Sequence, residues 1–390
     1  MPALKKQQLA TIEEKFERTA FSLTQERSDF FLPQIIDFVT KKHWINLRPE
    51  YQRRLVWDLE KRSAFIESLL LNIPIPTLFL YERELGRYEV MDGQQRINAV
   101  IDFYAGVYPL KGLVKWPEIN GLTFNDLPDV LRRGLDRRRL SATVVVVDTA
   151  KPQPVSPAFQ GDDVRKIVFE RLNTGGQHLN AQELRNCLYA GPFNDLLIRL
   201  ASTRQFRAIW GISAHPRHGL ARPTVDEDEL YAPLSENQLY SRMLDCEIVL
   251  RFFAFSDPKR LRGSVRSILD KCMANNVSMP ADAVPALEKK FNRVLKLAHD
   301  IFGPETFRYR DHKDKARLSR PLFDAVMIAL DHLWDHCHTL KRRRLAVGNS
   351  ITALLRRERA FAVIVGRPNT AQAIQARINL VQRAMSAAIK

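Results

Sequence analysis

The sequence predicts an α+β chain, a mixed N-terminal half over 25–190 followed by an all-α helical half over 191–390. Three observations carry this. Arg87–Met91 alternates like a strand, runs into Asp92-Gly93, and leaves as a helical pattern through Ile97, Val100, Ile101 and Tyr104. Ala142–Val147 is an apolar, β-branched run of buried-strand length. Beyond about Gly191 strand signals fade, and stripes at helical spacing take over: Leu239, Met243, Cys246, Leu250; Leu287, Phe291, Leu295, Ala298; Phe323, Met327, Leu330, Leu333.

Taken in order, a polar helical lead-in reaches about Thr24, and Phe31, Ile35, Ile36 and Val39 predict an amphipathic helix over Ser28–Lys41. Trp44–Leu47 is a short strand. Lys61–Leu71 is a helix stopped by Pro74 and Pro76, whose rings forbid its continuation. Leu78–Tyr81 and Tyr88–Met91 form an antiparallel pair around a turn at Glu84–Gly86. A basic helix over Leu127–Arg139 precedes the Ala142 strand. Lys151–Gly161, with three prolines, is a loop, and Asp162–Leu172 a helix ending at Asn173-Thr174-Gly175-Gly176. Asn180 and Glu183 have the spacing of a capping box. Ala214–Pro233 is loop-rich, and Leu380 and Val381 belong to a final amphipathic helix.

The formal net charge of +16 favours polyanionic partners, with basic clusters at Arg132-Arg133, Arg137–Arg139, Lys341–Arg344 and Arg356-Arg357. DNA is the expected macromolecular partner; a solvated basic face is the alternative for any one cluster. No apolar run approaches a membrane span, and Met1–Arg18 lacks the apolar core of a signal peptide. Four scattered cysteines without a CxxC spacing read as reduced thiols, so the expected compartment is cytoplasmic.

The chemistry centres on Asp92-Gly93-Gln94-Gln95-Arg96. A glycine turn from a strand into a helix presents free N–H groups and a positive dipole end to phosphate, and Arg96 adds a charge one step inside. A tight turn with Asp92 as cap and Arg96 in a surface pair explains the same residues structurally. Arg48, Tyr51, Gln52, Arg53 and Arg54 form a second basic stretch before Trp57. His332 and His336, spaced i, i+4, have the offset of a metal pair, but Leu330, Leu333 and Trp334 around them read as packing, and no nuclease motif stands out.

With these residues in order, the stretches Pro49–Trp57, Ile66–Glu82 and Tyr88–Gly106 resemble the N-terminal domain of GmrSD-type modification-dependent restriction enzymes and the related SspE-like phage-defence proteins. Phe169–Gly176 and Gln182–Asn186 extend the resemblance. It implies a ParB/sulfiredoxin-like fold that binds or hydrolyses nucleoside triphosphates. By the same resemblance Tyr51, Gln52, Arg53, Gly93, Gln94, Gln95 and Arg96 line the nucleotide pocket, with Asn173 and Arg185 completing its wall. Asp92 is then placed to bind Mg²⁺, Gln95 to orient the attacking water, and Arg53 to neutralise charge on the leaving phosphates. The expected function is an NTP-hydrolysing sensor of a bacterial anti-phage or modification-dependent restriction system. It engages DNA, a separate nuclease or another defence-system subunit, with room for a homo-oligomer. The alternative is a non-enzymatic, nucleotide-gated DNA-binding or adaptor protein.

Overall fold

The computed structural model describes residues 23–47, 57–147, 180–213, 234, 237–366 and 368–390. The chain divides into two compact units, Met1–Leu179 and Asn180–Lys390.

The first unit is built on a five-stranded mixed sheet in the order β1-β5-β3-β4-β2, from β1 (Leu23–Phe31), β2 (Ile45–Asn46), β3 (Leu78–Glu84), β4 (Arg87–Asp92) and β5 (Arg139–Val147). β1 runs antiparallel to β5, with Phe30 opposite Leu140, and β3 lies parallel to β5 on its other side. Leu140, Ala142 and Val144 are buried at the period of two a strand imposes. Between β3 and β4 the register shifts beside Phe79, which pairs with Asp92 at the end of β4. The helices α1 (Leu32–Thr40), α2 (Leu59–Leu70), α3 (Gln94–Tyr104) and α4 (Asp129–Asp136) complete the unit. Leu32, Ile35, Ile66, Leu69, Ile97, Val100 and Phe103 join the strand residues in one core.

Two expected helices are shorter than their spacing indicated. Ser28–Phe31 belongs to β1, and the helix opens at Leu32 with Pro33 in its first turn, where a missing N–H costs nothing. Phe31 is left under the Arg139 guanidinium, 4.3 Å from its ring centre. The basic helix is confined to Asp129–Asp136 after Pro128, and Arg139 opens β5 instead. The short second strand is Ile45–Asn46, pairing in parallel with β4.

The second unit is helical with one added hairpin. Its helices are α5 (Ala181–Leu188), α6 (Pro192–Ala201), α7 (Arg204–Trp210), α8 (Gln238–Ser241), α9 (Leu244–Ala254), α10 (Val265–Asn276) and α11 (Val284–Phe302). The strands β6 (Arg308–Arg310) and β7 (Ala316–Leu318) form an antiparallel pair. After them come α12 (Arg320–His332), α13 (Cys337–Arg342), α14 (Arg344–Arg356), α15 (Glu358–Val365) and α16 (Ala371–Ile389). The hairpin departs from the all-α expectation for this half. Phe252, Phe291 and Phe323, from α9, α11 and α12, meet in the core with Ile378, Val381 and Met385 of α16. The capping box is formed: Asn180 Oδ1 accepts from the Gln182 and Glu183 N–H groups, and Glu183 accepts the Asn180 N–H at 2.6 Å.

The Leu239–Leu250 stripe is two helices, because Met243 adopts a left-handed φ of 52° between them. Likewise α12 ends at His332 and Trp334–His336 is a 3-10 turn, so His332 and His336 do not share a continuous helix. The expected elements over Lys151–Gly161 and Asp162–Leu172, and all of Ala214–Pro233, lie outside the described residues. Among the described residues no helix is long and apolar enough to cross a membrane.

Candidate functional site

The strand β4 delivers the chain to Gly93 at the edge of the core, and Gly93 turns it into α3 with φ 100° and ψ 8°. This is a left-handed conformation that a side chain resists. The space is closed as well: an added Cβ would run into Leu78 Cδ2 and lie 3.2 Å from Arg96 Nη2. A glycine is therefore required twice over, by backbone angle and by close packing.

Helix α3 starts without a side-chain cap. Its first backbone bond runs from the Ile97 N–H to the Gly93 carbonyl, which leaves the N–H groups of Gln94, Gln95 and Arg96 without an acceptor among the described residues. Such a helix start is an anion-binding feature in its own right.

The side chains of the motif are largely engaged. Arg96 is buried; its Nη2 donates to Asp92 Oδ2 at 2.6 Å, and its Nη1 donates to the carbonyls of Pro76 and Thr77. Burial draws its pKa down, with the Asp92 carboxylate opposing that shift. The arginine thus braces the turn against the chain entering β3, and its charge stays fixed beneath the helix start. Asp92 stays about half exposed in that pair. Gln94 Nε2 donates to the Leu47 carbonyl, and Gln95 Oε1 accepts the Trp57 N–H at 3.1 Å. The two glutamines grip the main chain on either side of residues 48–56. The resemblance gives Gln95 the attacking water; the non-local clasp on Leu47 and Trp57 has no sequence signal. Tyr51, Gln52, Arg53 and Asn173 lie outside the described residues.

Arg185 belongs to the second unit, where all three guanidinium nitrogens have acceptors. Nε binds Asp270 at 2.7 Å, Nη1 binds Gln182 and lies 3.3 Å from Glu247, and Nη2 reaches the Arg266 carbonyl at 3.5 Å. From Glu247 the charges continue to Arg251 at 3.9 Å, then to Asp324, whose Oδ1 accepts from Arg251 Nε at 2.8 Å, then to Arg377 at 3.8 Å. Asp270, Arg185, Glu247, Arg251, Asp324 and Arg377 thus alternate in sign across α10, α5, α9, α12 and α16. Asp324 and Arg377 have no exposed surface at all. The sequence did carry a signal for this chain of charges: Arg251 interrupts Leu250-Phe252, and Asp324 interrupts Phe323-Ala325, on otherwise apolar stripes.

His332 is held by Gln382 Oε1 at 3.3 Å and the Ser256 carbonyl at 3.0 Å, using both ring nitrogens. Among the described residues no group of three or more His, Cys, Asp or Glu side chains is arranged to hold a metal.

Residues 33–190 match the family model described as GmrSD restriction endonuclease, N-terminal domain. No curated protein and no solved structure matches the chain.

Proposed function

We propose, from the premise that residues 33–190 are a GmrSD restriction endonuclease N-terminal domain, that this chain is the nucleotide-dependent sensor of a restriction-type phage-defence system. In this reading the domain has the ParB/sulfiredoxin-like fold and binds a nucleoside triphosphate with Mg²⁺ at the Gly93 turn. The observation that carries it is the uncapped start of α3 above the buried Arg96 charge. Phosphate oxygens accept from the N–H groups of Gln94, Gln95 and Arg96, and the fixed guanidinium beneath strengthens the field without a reorganisation cost. Mg²⁺ suits the half-exposed Asp92: one carboxylate is enough for an ion that keeps waters and takes further ligands from the phosphates. Bound there, it neutralises charge on the triphosphate. Gln95, its Oε1 occupied by the Trp57 N–H, keeps its Nε2 to orient an attacking water. Tyr51, Gln52, Arg53 and Asn173 enter through the family resemblance.

The second unit engages DNA or a nuclease subunit of the same system, and its basic helices support this. Lys341–Arg344, Arg356, Arg357 and Arg359 are all exposed, and Glu358 is the only acid between 341 and 366. A second reading, a non-enzymatic nucleotide-gated adaptor, is favoured by the internal engagement of Asp92, Gln95 and Arg96, which suits a clasp that closes on ligand better than one that turns it over.

Calorimetry with Mg²⁺-ATP and Mg²⁺-GTP tests the site. Arg96→Ala is expected to weaken binding, because it removes both the fixed charge beneath the helix start and the brace on the turn. Equal affinity in wild type and variant removes the Gly93 turn from consideration. Phosphate release with and without DNA then separates the two readings, since only the enzyme turns triphosphate over.

A further inference from the structure

An open cleft of about 410 Å³ lies in the second unit among α7, the end of α11, the turn after it and the start of β6. Ala208, Ile209 and Pro304 give it apolar walls, and Arg204, His299 and Arg308 bring basic side chains to its lining. Among the described residues no carboxylate lines it. The acids nearest in sequence are engaged elsewhere: Asp300 with Lys341 at 2.8 Å, and Glu305 with Arg310 at 2.9 Å. Arg204 and Arg308 have no ion-pair partner among the described residues. Arg308 Nη2 donates to the Ile209 carbonyl at 3.5 Å, which ties its guanidinium across to the end of α7.

Three features therefore converge in one concavity: planar cations without an ion-pair partner among the described residues, an imidazole, and apolar surface of small-molecule extent. Guanidinium pairs of this kind recognise phosphate oxygens through parallel N–H donors. An apolar-walled cleft in the range of ~300–1,000 Å³ is suited to an organic body. We propose that this cleft binds a phosphate-bearing small molecule of the nucleoside monophosphate class, the phosphate between Arg204 and Arg308 and the ring system against Ala208, Ile209 and Pro304. The site is built entirely within the second unit and stands independently of the Gly93 turn.

The test uses the full chain with ¹³C-labelled histidine, the His299 ring signal being assigned through His299→Asn. Titration with adenosine 5′-monophosphate at constant ionic strength is expected to shift that signal saturably. Inorganic phosphate is expected to bind about tenfold more weakly, because it leaves the apolar walls uncovered. The double variant Arg204→Gln/Arg308→Gln is expected to abolish the shift. The rim variant Arg204→Glu is expected to weaken binding by at least about tenfold, with the other histidine signals reporting an intact fold. Arg96→Ala is expected to leave the His299 titration unchanged, which separates this site from the Gly93 turn. An absent or non-saturable His299 shift, a shift that survives both arginine variants, or equal affinity for inorganic phosphate overturns the proposal.

Discussion

Replacing Gly93 by alanine perturbs the pivot of the first unit, and the structure sets the size of the effect. At φ 100° a side chain strains the backbone by about 1–2 kcal/mol. The new methyl meets Leu78 Cδ2, and Leu78 is fully buried in β3, so it yields only by repacking, at about 1–3 kcal/mol. The smaller conformational freedom of an unfolded alanine chain returns about 0.4–1 kcal/mol. The net loss is about 1–4.5 kcal/mol. Gly86 is the internal control: φ is 71° there, but nothing lies within 4 Å of an added Cβ. Gly86→Ala should therefore cost only about 0–1.6 kcal/mol, leaving a difference of about 1–3 kcal/mol that belongs to the Leu78 collision. Native-state hydrogen exchange at the Ile97, Val100 and Phe103 amides reads this in the full chain, without requiring both units to unfold together. Equal loss of protection in the two variants would refute the claim that Gly93 is fixed by packing as well as by backbone angle.

Asp324→Asn should destabilise the second unit by about 3–5 kcal/mol, because it leaves Arg377 buried without its counter-ion and Arg251 with only Glu247 at 3.9 Å. Glu288→Ala, which breaks the more exposed pair with Arg199, should cost about 0.2–1 kcal/mol; urea titration of both variants that gives similar losses contradicts the contrast. In the β6–β7 hairpin the Asp311 carboxylate accepts the Lys315 N–H, the Arg317 Nε–H and the Lys313 N–H, and these bonds hold its pKa at about 2, below the ordinary 3.8. A depressed folded pKa means that the turn is fully supported above pH 3.8 and loses that support as pH falls through about 2. Carboxyl ¹³C titration by NMR should place the Asp311 midpoint there; a midpoint at or above 3.8 would show that these bonds do not favour the ionised form.

By itself the sequence determined whatever is settled within a few residues along the chain. The glycine turn, the helix after it, the Asn180–Glu183 capping box and the apolar run of β5 are all local, and all are present. Tertiary structure decided what depends on partners far away in the chain. Ser28–Phe31 has a stripe that suits a helix, yet it is a strand because β5, more than a hundred residues later, offers a full antiparallel ladder. Arg96 has the position of a phosphate ligand, but its partners include carbonyls 19 and 20 residues away, fixed by how β3 enters the sheet. Gln94 and Gln95 find acceptor and donor 47 and 38 residues away, on opposite flanks of one segment. The charge chain from Asp270 to Arg377 is complete only once five helices have assembled; a single helix supplies no more than the Glu247–Arg251 pair. Periodicity reports which face of an element is apolar; which polar group meets which is fixed only when burial forces each to find a partner.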